Sequence, residues 1–381
     1  MKIHRIGVLG PHRRGKIALL AHQPERGFHV TTVCGQSGDD LDNFYKKCGT
    51  GLRFTKDFRE VASSPEIDIV FVCTPDFLHR EHAIACLEAG KYVFLEKPMA
   101  INIPDCDRIL ETAERHGGKL YVGHNMRFFP VIRKMKELID AGRIGQVEAI
   151  WCRHFVGDGG DYYYKNYNSE QEYTTSLLLQ KGAHDIDIIH WLAGAYTERV
   201  TGMGKLSVYN RVTDRRPEAL DAPRGDRDLS IWPPLAQKGL NPKIDVEDHN
   251  MILMQLSNGT QASYMECFYT PDYHRNYTII GTEGRIENHG DHSADSNWAT
   301  VNLWNRRTGY SALGHEVYPV PPAIGTHGGA DPFMIEDFLR FVETGASQGA
   351  PPVAARMAVA VGCRGAESIR AGSMPMDVPC P

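Results

Sequence analysis

No apolar run in this 381-residue chain approaches the 18 or so residues of a membrane-spanning helix. The longest, Ile67 to Cys73, is interrupted by Asp68. The opening MKIHRIGVLG holds only a five-residue apolar stretch, too short for a signal-peptide core, and predicts a strand. An excess of positive charge is missing too. The 42 Lys and Arg against 47 Asp and Glu leave a formal net charge of −5, which argues against nucleic acid or an anionic membrane as the main partner. The nine cysteines are odd in number and scattered, with no CxxC pair and no Cys/His block. That excludes a disulfide framework and a structural zinc site. Thiols such as Cys34 in VTTVC and Cys73 in IVFVC read as small core hydrophobes in a reducing cytoplasm. Internal repeats and low-complexity segments are also lacking.

The composition is that of a globular protein, 42% hydrophobic and 23% charged. At roughly 150 residues per domain the length suggests about two domains. Up to residue 123 strand and helix patterns alternate. Strands are expected at Ile3–Leu9, Val30–Cys34, Arg53-Phe54, Ile67–Cys73, Tyr92–Leu95 and Leu120–Val122. Helical patterns fall at 17–21, 41–47, 58–62, 79–89 and 106–116. Strands separated by such helices mean βαβ units, hence a doubly wound parallel sheet. From residue 124 to 381 the texture changes. A helix at 129–141 precedes an alternating strand at 147–155, and Ser257-Asn258-Gly259 joins long alternating strands at 250–256 and 260–269. Strands at 277–280 and 301–304 and closing helices at 333–344 and 353–370 complete it. The expectation is a Rossmann domain over 1–123 and a second α/β domain over 124–381 with an open-faced, mostly antiparallel sheet. Residues 210–245, rich in Pro, Arg and Asp, read as a long surface excursion.

The first strand runs into Gly10-Pro-His12-Arg13-Arg14-Gly15. Gly10 and Gly15 match the outer glycines of GxGxxG, and His12 stands where the middle one lets the backbone approach a pyrophosphate. A helix N-terminus follows, the natural anion site of such a turn.

Further segments carry a resemblance. Cys73-Thr74-Pro75-Asp76-Phe77-Leu78-His79 ends the fourth strand, Glu96-Lys97-Pro98 the fifth, and Gly123-His124-Asn125-Met126-Arg127 follows the sixth. Gly182-Ala183-His184-Asp185-Ile186-Asp187 opens a later helix, and Gly281-Thr282-Glu283-Gly284 comes after it. Their order and spacing resemble the glucose–fructose oxidoreductase / inositol dehydrogenase family (Gfo/Idh/MocA). The resemblance implies NAD or NADP as cofactor, lined by Gly10, His12, Arg13, Arg14, Gly35, Ser37, Thr74, Pro75, His79, Glu96, Lys97 and Asn125. It also implies a sugar or cyclitol substrate and a homodimer or homotetramer.

Lys97, at the carboxyl end of a parallel strand where open α/β sheets place ligands, suits hydrogen bonding to a substrate hydroxyl. The resemblance gives it the catalytic role. Glu96 pairs either with a cofactor hydroxyl or with a local cation. His184 is the side chain most easily set to exchange a proton near neutral pH. The family often places an acid four residues earlier, where this chain has Gln180. Asp187, three residues on, shares the helical face of His184 and is implied as a substrate ligand. His184 and His190 are six apart and point about 120° from each other on a helix, so no metal site is expected. Asp161-Tyr162-Tyr163-Tyr164-Lys165 reads either as a sugar-stacking cluster or as a plain surface loop.

The second strand ends Val33-Cys34-Gly35-Gln36-Ser37, with glycine where NAD-specific Rossmann proteins carry an acid. Ser37 with Arg13 or Arg14 would receive a 2′-phosphate, while Asp39 and Asp40 are the rival ribose ligands; the balance favours NADP or dual use. The expected activity is hydride transfer between nicotinamide and a secondary hydroxyl or ketone of a sugar, glycoside or cyclitol. The alternatives are a glycosidase using transient ring oxidation and a cofactor-holding regulatory protein. The residues do not name the substrate.

Overall fold

The computed structural model describes residues 2–37, 41–49, 51–217, 228, 230–291, 298–307, 309–321 and 327–381. Two compact units form: residues 1–128 with 329–356 and 381, and residues 129–328 with 357–380. Among the described residues no helix is long and apolar enough to cross a membrane.

In the first unit the strands are β1 His4–Leu9, β2 Phe28–Cys34, β3 Arg53–Thr55, β4 Ile69–Val72, β5 Tyr92–Leu95 and β6 Leu120–Val122. They build one parallel sheet in the order β3-β2-β1-β4-β5-β6. All four residues of β4 are buried, as a strand covered on both faces must be. Asp68 stays outside it and accepts a hydrogen bond from the Arg5 N–H at 2.9 Å. The strand order reverses between β1 and β4, which opens a crevice beyond their carboxyl ends. The element after β1, Arg13–Ala21, is a 3₁₀ helix rather than an α-helix.

Helix Ala330–Thr344 belongs to this unit, where the sequence predicts it in the second domain. The reason is aromatic packing. The Phe338 ring lies 5.3 Å from Phe71, 5.3 Å from Phe94 and 5.4 Å from Tyr121. The Tyr121 hydroxyl donates to Asp337 at 3.1 Å.

The second unit has β7 Val147–Phe155, β8 Thr197–Lys205, β9 His249–Leu256, β10 Gln261–Cys267, β11 His274–Gly281, β12 Arg285–His289, β13 Ala299–Trp304, β14 Glu316–Val320 and β15 Met376–Asp377. They form a nine-stranded sheet, β14-β13-β12-β11-β7-β10-β9-β8-β15, in which only β7 and β10 run parallel. The β9–β10 turn closes on Gly259 at φ +89°, a value that favours glycine. Burial alternates along β7 and β9. One face carries helix Gly182–Ala193; the other leaves Trp151, Met203, Met251 and Leu253 between 47% and 65% exposed. Register aligns Trp151, Ser263, Leu253 and Thr201 in one row and Arg153, Met265, Met251 and Met203 in the next.

The tyrosine cluster corrects both sequence readings. Tyr163 and Tyr164 are buried in a second small core with Val156, Leu177, Tyr209, Val212, Leu240, Val246 and Phe268. Apolar ring area outweighs the loop's polar flanks, and the Tyr164 hydroxyl finds the Glu247 carbonyl at 2.9 Å. Asp161 and Lys165 pair beside it. The stretch 210–245 is therefore partly core, since Val212 and Leu240 are buried; residues 218–227 and 229 lie outside the described residues.

Candidate functional site

The first unit presents a dinucleotide cradle at its strand-order reversal. Gly10 sits at φ +79°, and a Cβ there would lie 2.6 Å from the Cys73 carbonyl oxygen. A Cβ on Gly15 would lie 1.9 Å from the Gly10 carbonyl oxygen, so the turn closes only on glycine. His12, in the place of the middle glycine, has φ −74° and ψ 153°, extended backbone open to any residue. The left-handed position falls on Arg13 instead, at φ +48°. Glycines at a strand–helix turn on the switch point suit a pyrophosphate, and the cradle fits a nicotinamide dinucleotide.

Around the cradle Thr74, Pro75, His79, Glu96, Lys97 and Asn125 all lie at or just past the carboxyl ends of β4, β5 and β6. His79 is fully buried, its Nδ1 2.8 Å from the Pro98 carbonyl oxygen and its Nε2 2.9 Å from that of Thr74. It thereby ties the end of β4 to the Lys97-Pro98 turn after β5. Thr74 Oγ1 meets His82 Nδ1 at 3.0 Å, and burial pushes His82 down to about 4, so it meets the hydroxyl as a neutral ring. Lys97 is partly exposed, and its N–H donates to Glu96 Oε2 at 3.2 Å.

Of the two partners expected for Glu96, the local cation is in place: it is Arg14. Arg14 Nε donates to Glu96 Oε1 at 2.9 Å, and its Nη1 to Asp331 Oδ2 at 2.7 Å. Asp331 also accepts from Asn125 Nδ2 at 3.1 Å. Burial opposes the Arg14 charge, but the two carboxylates outweigh it and hold the guanidinium charged. Arg14 thus binds two carboxylates of this unit, while Arg13 opens the 3₁₀ helix and Ser37 lies three residues past the end of β2. Gly35 faces Pro11: a Cβ there would lie 3.0 Å from the proline Cδ. Asp39 and Asp40 lie outside the described residues.

In the second unit His184, Asp185 and Asp187 open helix Gly182–Ala193, and all three are buried. Gln180 closes the preceding helix, Leu177–Gln180, and Lys181 between them keeps right-handed helical angles of −95° and −44°. Gln180 and His184 therefore remain about one turn apart. Gly182 permits close docking on the sheet, since a Cβ there would lie 2.9 Å from Tyr264 Cε1. His190 is a structural group: its Nε2 accepts the Thr197 N–H at 3.2 Å and lies 2.8 Å from the Thr197 hydroxyl. Among the described residues no group of three or more His, Cys, Asp or Glu could hold a metal ion.

Sequence reasoning missed a buried polar cluster beneath this helix. Asp185 Oδ1 pairs with Arg275 Nε at 3.0 Å and accepts from the Tyr277 hydroxyl. Its Oδ2 lies 3.2 Å from the Tyr264 hydroxyl and 3.2 Å from His154 Nδ1. Burial pushes Asp185 up, but Arg275 and His154 hold it well below the usual carboxylate range. His154 is lowered to about 4 by burial and then by Arg275, so its ring is neutral at pH 7. The available signal is a polar residue in the buried phase of an alternating strand: His154 follows Ile150 and Cys152, and Glu266 follows Ala262 and Tyr264.

The chain matches two family models. Residues 4–124 match the oxidoreductase family with an NAD-binding Rossmann fold, and residues 132–287 match the GFO/IDH/MocA C-terminal domain. Among curated proteins, YteT of Bacillus subtilis is 26% identical over 324 residues, covering 75% of this chain and 75% of its own. A myo-inositol 2-dehydrogenase of Thermotoga maritima is 30% identical over 206 residues; the match spans 54% of this chain and 59% of that protein. Among solved structures, a levoglucosan dehydrogenase in complex with NADH and levoglucosan shares the fold at a TM-score of 0.77 and 19% identity, over 99% of this chain and 100% of that one.

Proposed function

We propose, from the premise that this chain belongs to the Gfo/Idh/MocA family of NAD-binding oxidoreductases, that it transfers a hydride between a nicotinamide cofactor and a secondary hydroxyl or ketone of a sugar, glycoside or cyclitol. The observation that carries the reading is Lys97 at the end of β5, on the same sheet edge as the Gly10–Gly15 turn. When bound, the nicotinamide supplies the hydride acceptor or donor. Lys97 hydrogen-bonds the substrate oxygen and favours its alkoxide character as hydride leaves. His184 takes the hydroxyl proton in the oxidative direction and returns it in the reductive one. Asp187 orients a neighbouring hydroxyl. With Gln180 in the place of an acid, the imidazolium has no carboxylate from that position, and Lys97 carries more of the work.

The cofactor is NADP, or both nicotinamides. Gly35 leaves no carboxylate to repel a 2′-phosphate, Ser37 can donate to one, and Arg13 can supply charge. The sheet face bearing Trp151, Leu253, Met251 and Met203 is the assembly face of a homodimer or homotetramer, since apolar surface of this kind marks a protein contact. The test of function is a panel of sugars, glycosides and inositols with NAD and with NADP, followed by nicotinamide absorbance. Turnover on at least one member, lost about 10²–10⁴-fold in Lys97→Ala with cofactor affinity kept, is expected. Near-native turnover in Lys97→Ala overturns the assignment.

A further inference from the structure

The cluster beneath helix Gly182–Ala193 is built from two register rows of the second sheet. One row is Asn250, Glu266, His154 and Arg275; the next is Ile252, Tyr264, Cys152 and Tyr277. Glu266 is almost wholly buried and has two partners of its own. Asn250 Nδ2 donates to its Oε1 at 2.6 Å, and the Tyr264 hydroxyl lies 2.9 Å from its Oε2. That same hydroxyl lies 3.2 Å from Asp185 Oδ2. One phenol thus bridges two buried carboxyl groups, and it has a single proton to give.

The donor count decides what each arrangement can do. Arg275 is a donor only, so His154 Nε2, 3.0 Å from Arg275 Nη2, accepts, and the Nδ1 of a neutral ring is then a donor facing the Tyr264 hydroxyl oxygen at 3.3 Å and Asp185 Oδ2 at 3.2 Å. If Glu266 carries a proton, its Oε2 donates to the Tyr264 oxygen, and the Tyr264 proton points at Asp185. The protons from Glu266 through Tyr264 to Asp185 then all point one way. If Glu266 is ionised, the Tyr264 proton turns to Glu266, and Asp185 loses a donor while two carboxylates face one phenol.

We propose that Glu266 is a positioning residue for His184 and Asp187: through Tyr264 and Asp185, its protonation sets how firmly the first turn of helix Gly182–Ala193 is held on the sheet. The proposal rests on the reading of His184 and Asp187 as working groups. The groups facing Glu266 are Tyr264 on its own strand, Asn250 on β9, and Asp185 and Lys181 at the helix start. The Tyr163 and Tyr164 phenols, the Cys267 thiol beside it in the strand and the His154 ring at the paired position of β7 are its other titratable neighbours. Burial, the largest influence, pushes Glu266 up to about 7, so both arrangements are accessible near neutral pH.

Two variants separate positioning from simple structural support. Glu266→Gln keeps the shape, donates to Tyr264 and accepts from Asn250 at every pH, so it copies the protonated acid. Tyr264→Phe cuts the relay. The first readout needs no turnover: infrared difference spectra of the full chain, titrated from pH 5 to 9. A protonated-carboxyl band that disappears near neutral pH in the wild type and is absent in Glu266→Gln supports the relay. No such band assignable to Glu266 overturns it, whatever the enzyme does with sugars. The second readout is the pH profile of kcat/KM on the best substrate of the panel. We expect Glu266→Gln to lose one neutral-pH inflection, and Tyr264→Phe to fall roughly tenfold with that inflection also lost. An unchanged profile in both variants overturns the positioning role. If the panel yields no turnover at all, it is the proposed function that fails, while the infrared titration still decides the relay.

Discussion

Replacement of Arg14 by alanine separates a structural cation from a cofactor-reading one. The guanidinium keeps 27% of its side chain exposed, while Glu96 and Asp331 keep 7% and 9%. Both carboxylates are therefore nearly out of water, and each bonds this one cation at 2.7–2.9 Å. Removing one partner of a buried pair costs about 3–5 kcal/mol, because the carboxylates left behind are nearly out of water and lose their shared cation. The partial exposure of Arg14 argues for the lower end, about 3 kcal/mol. For a unit of this size that is roughly 6–12 °C in Tm, read by thermal or urea unfolding. A triple variant, Arg14→Met with Glu96→Gln and Asp331→Asn, should recover most of the loss, since the stranded charges go with their partner. The ratio of kcat/KM for NADP over NAD should stay the same in Arg14→Ala. A Tm within about 2 °C of wild type refutes the reasoning. If the NADP preference also collapses, Arg14 reads the phosphate instead of the carboxylates.

Other outcomes follow from the same geometry. The native state holds the Glu266 proton up to about pH 7, whereas an unfolded glutamate releases it near 4.5, so stability should fall as pH rises through that window, by about 3 kcal/mol at most. Urea midpoints at pH 5 and 8 should show that fall in the wild type and a flatter line in Glu266→Gln; parallel slopes count against it. His184→Ala should lower kcat, but less than Lys97→Ala does, given Gln180 beside it; the reverse order would make His184 the principal group. Leu253→Arg with Trp151→Arg should dissociate the assembly in light scattering with turnover chemistry intact, and a wild-type monomer at micromolar concentration contradicts the assembly face. The kcat/KM ratio for the two nicotinamides tests the cofactor assignment, and a wild-type preference for NAD above about tenfold defeats it.

The first sheet was legible because its strands are covered on both faces. β4 and β5 read as apolar runs; β4 is shorter than expected, Ile69–Val72 against Ile67–Cys73, and Asp68 stays outside it to bond Arg5. The second sheet was half legible. β9 and β10 alternate and meet at Asn258-Gly259, but β8 hides two glycines, Gly202 and Gly204, that let its backbone approach Ile252, Asn250 and Ile369. β14 carries Pro319 and sits at the sheet edge, where a missing N–H is tolerated. The site motifs were visible because each sits at a strand end or a helix start. The cluster around Asp185 was not, because its members come from four strands and a helix, and only their register brings them together. The pairing of Arg14 with Asp331 was hidden for a similar reason, since the two are 317 residues apart in the chain.

The most direct measurement is the stoichiometry of the reaction on the best substrate of the panel. Nicotinamide reduction and carbonyl product are counted together with any released free sugar. One NAD(P)H formed per ketone, with no sugar released from a glycoside, is the outcome that hydride transfer to a free cofactor predicts. Sugar released without net accumulation of NAD(P)H would contradict it and would identify the reaction as a glycosidase cycle that regenerates its own cofactor.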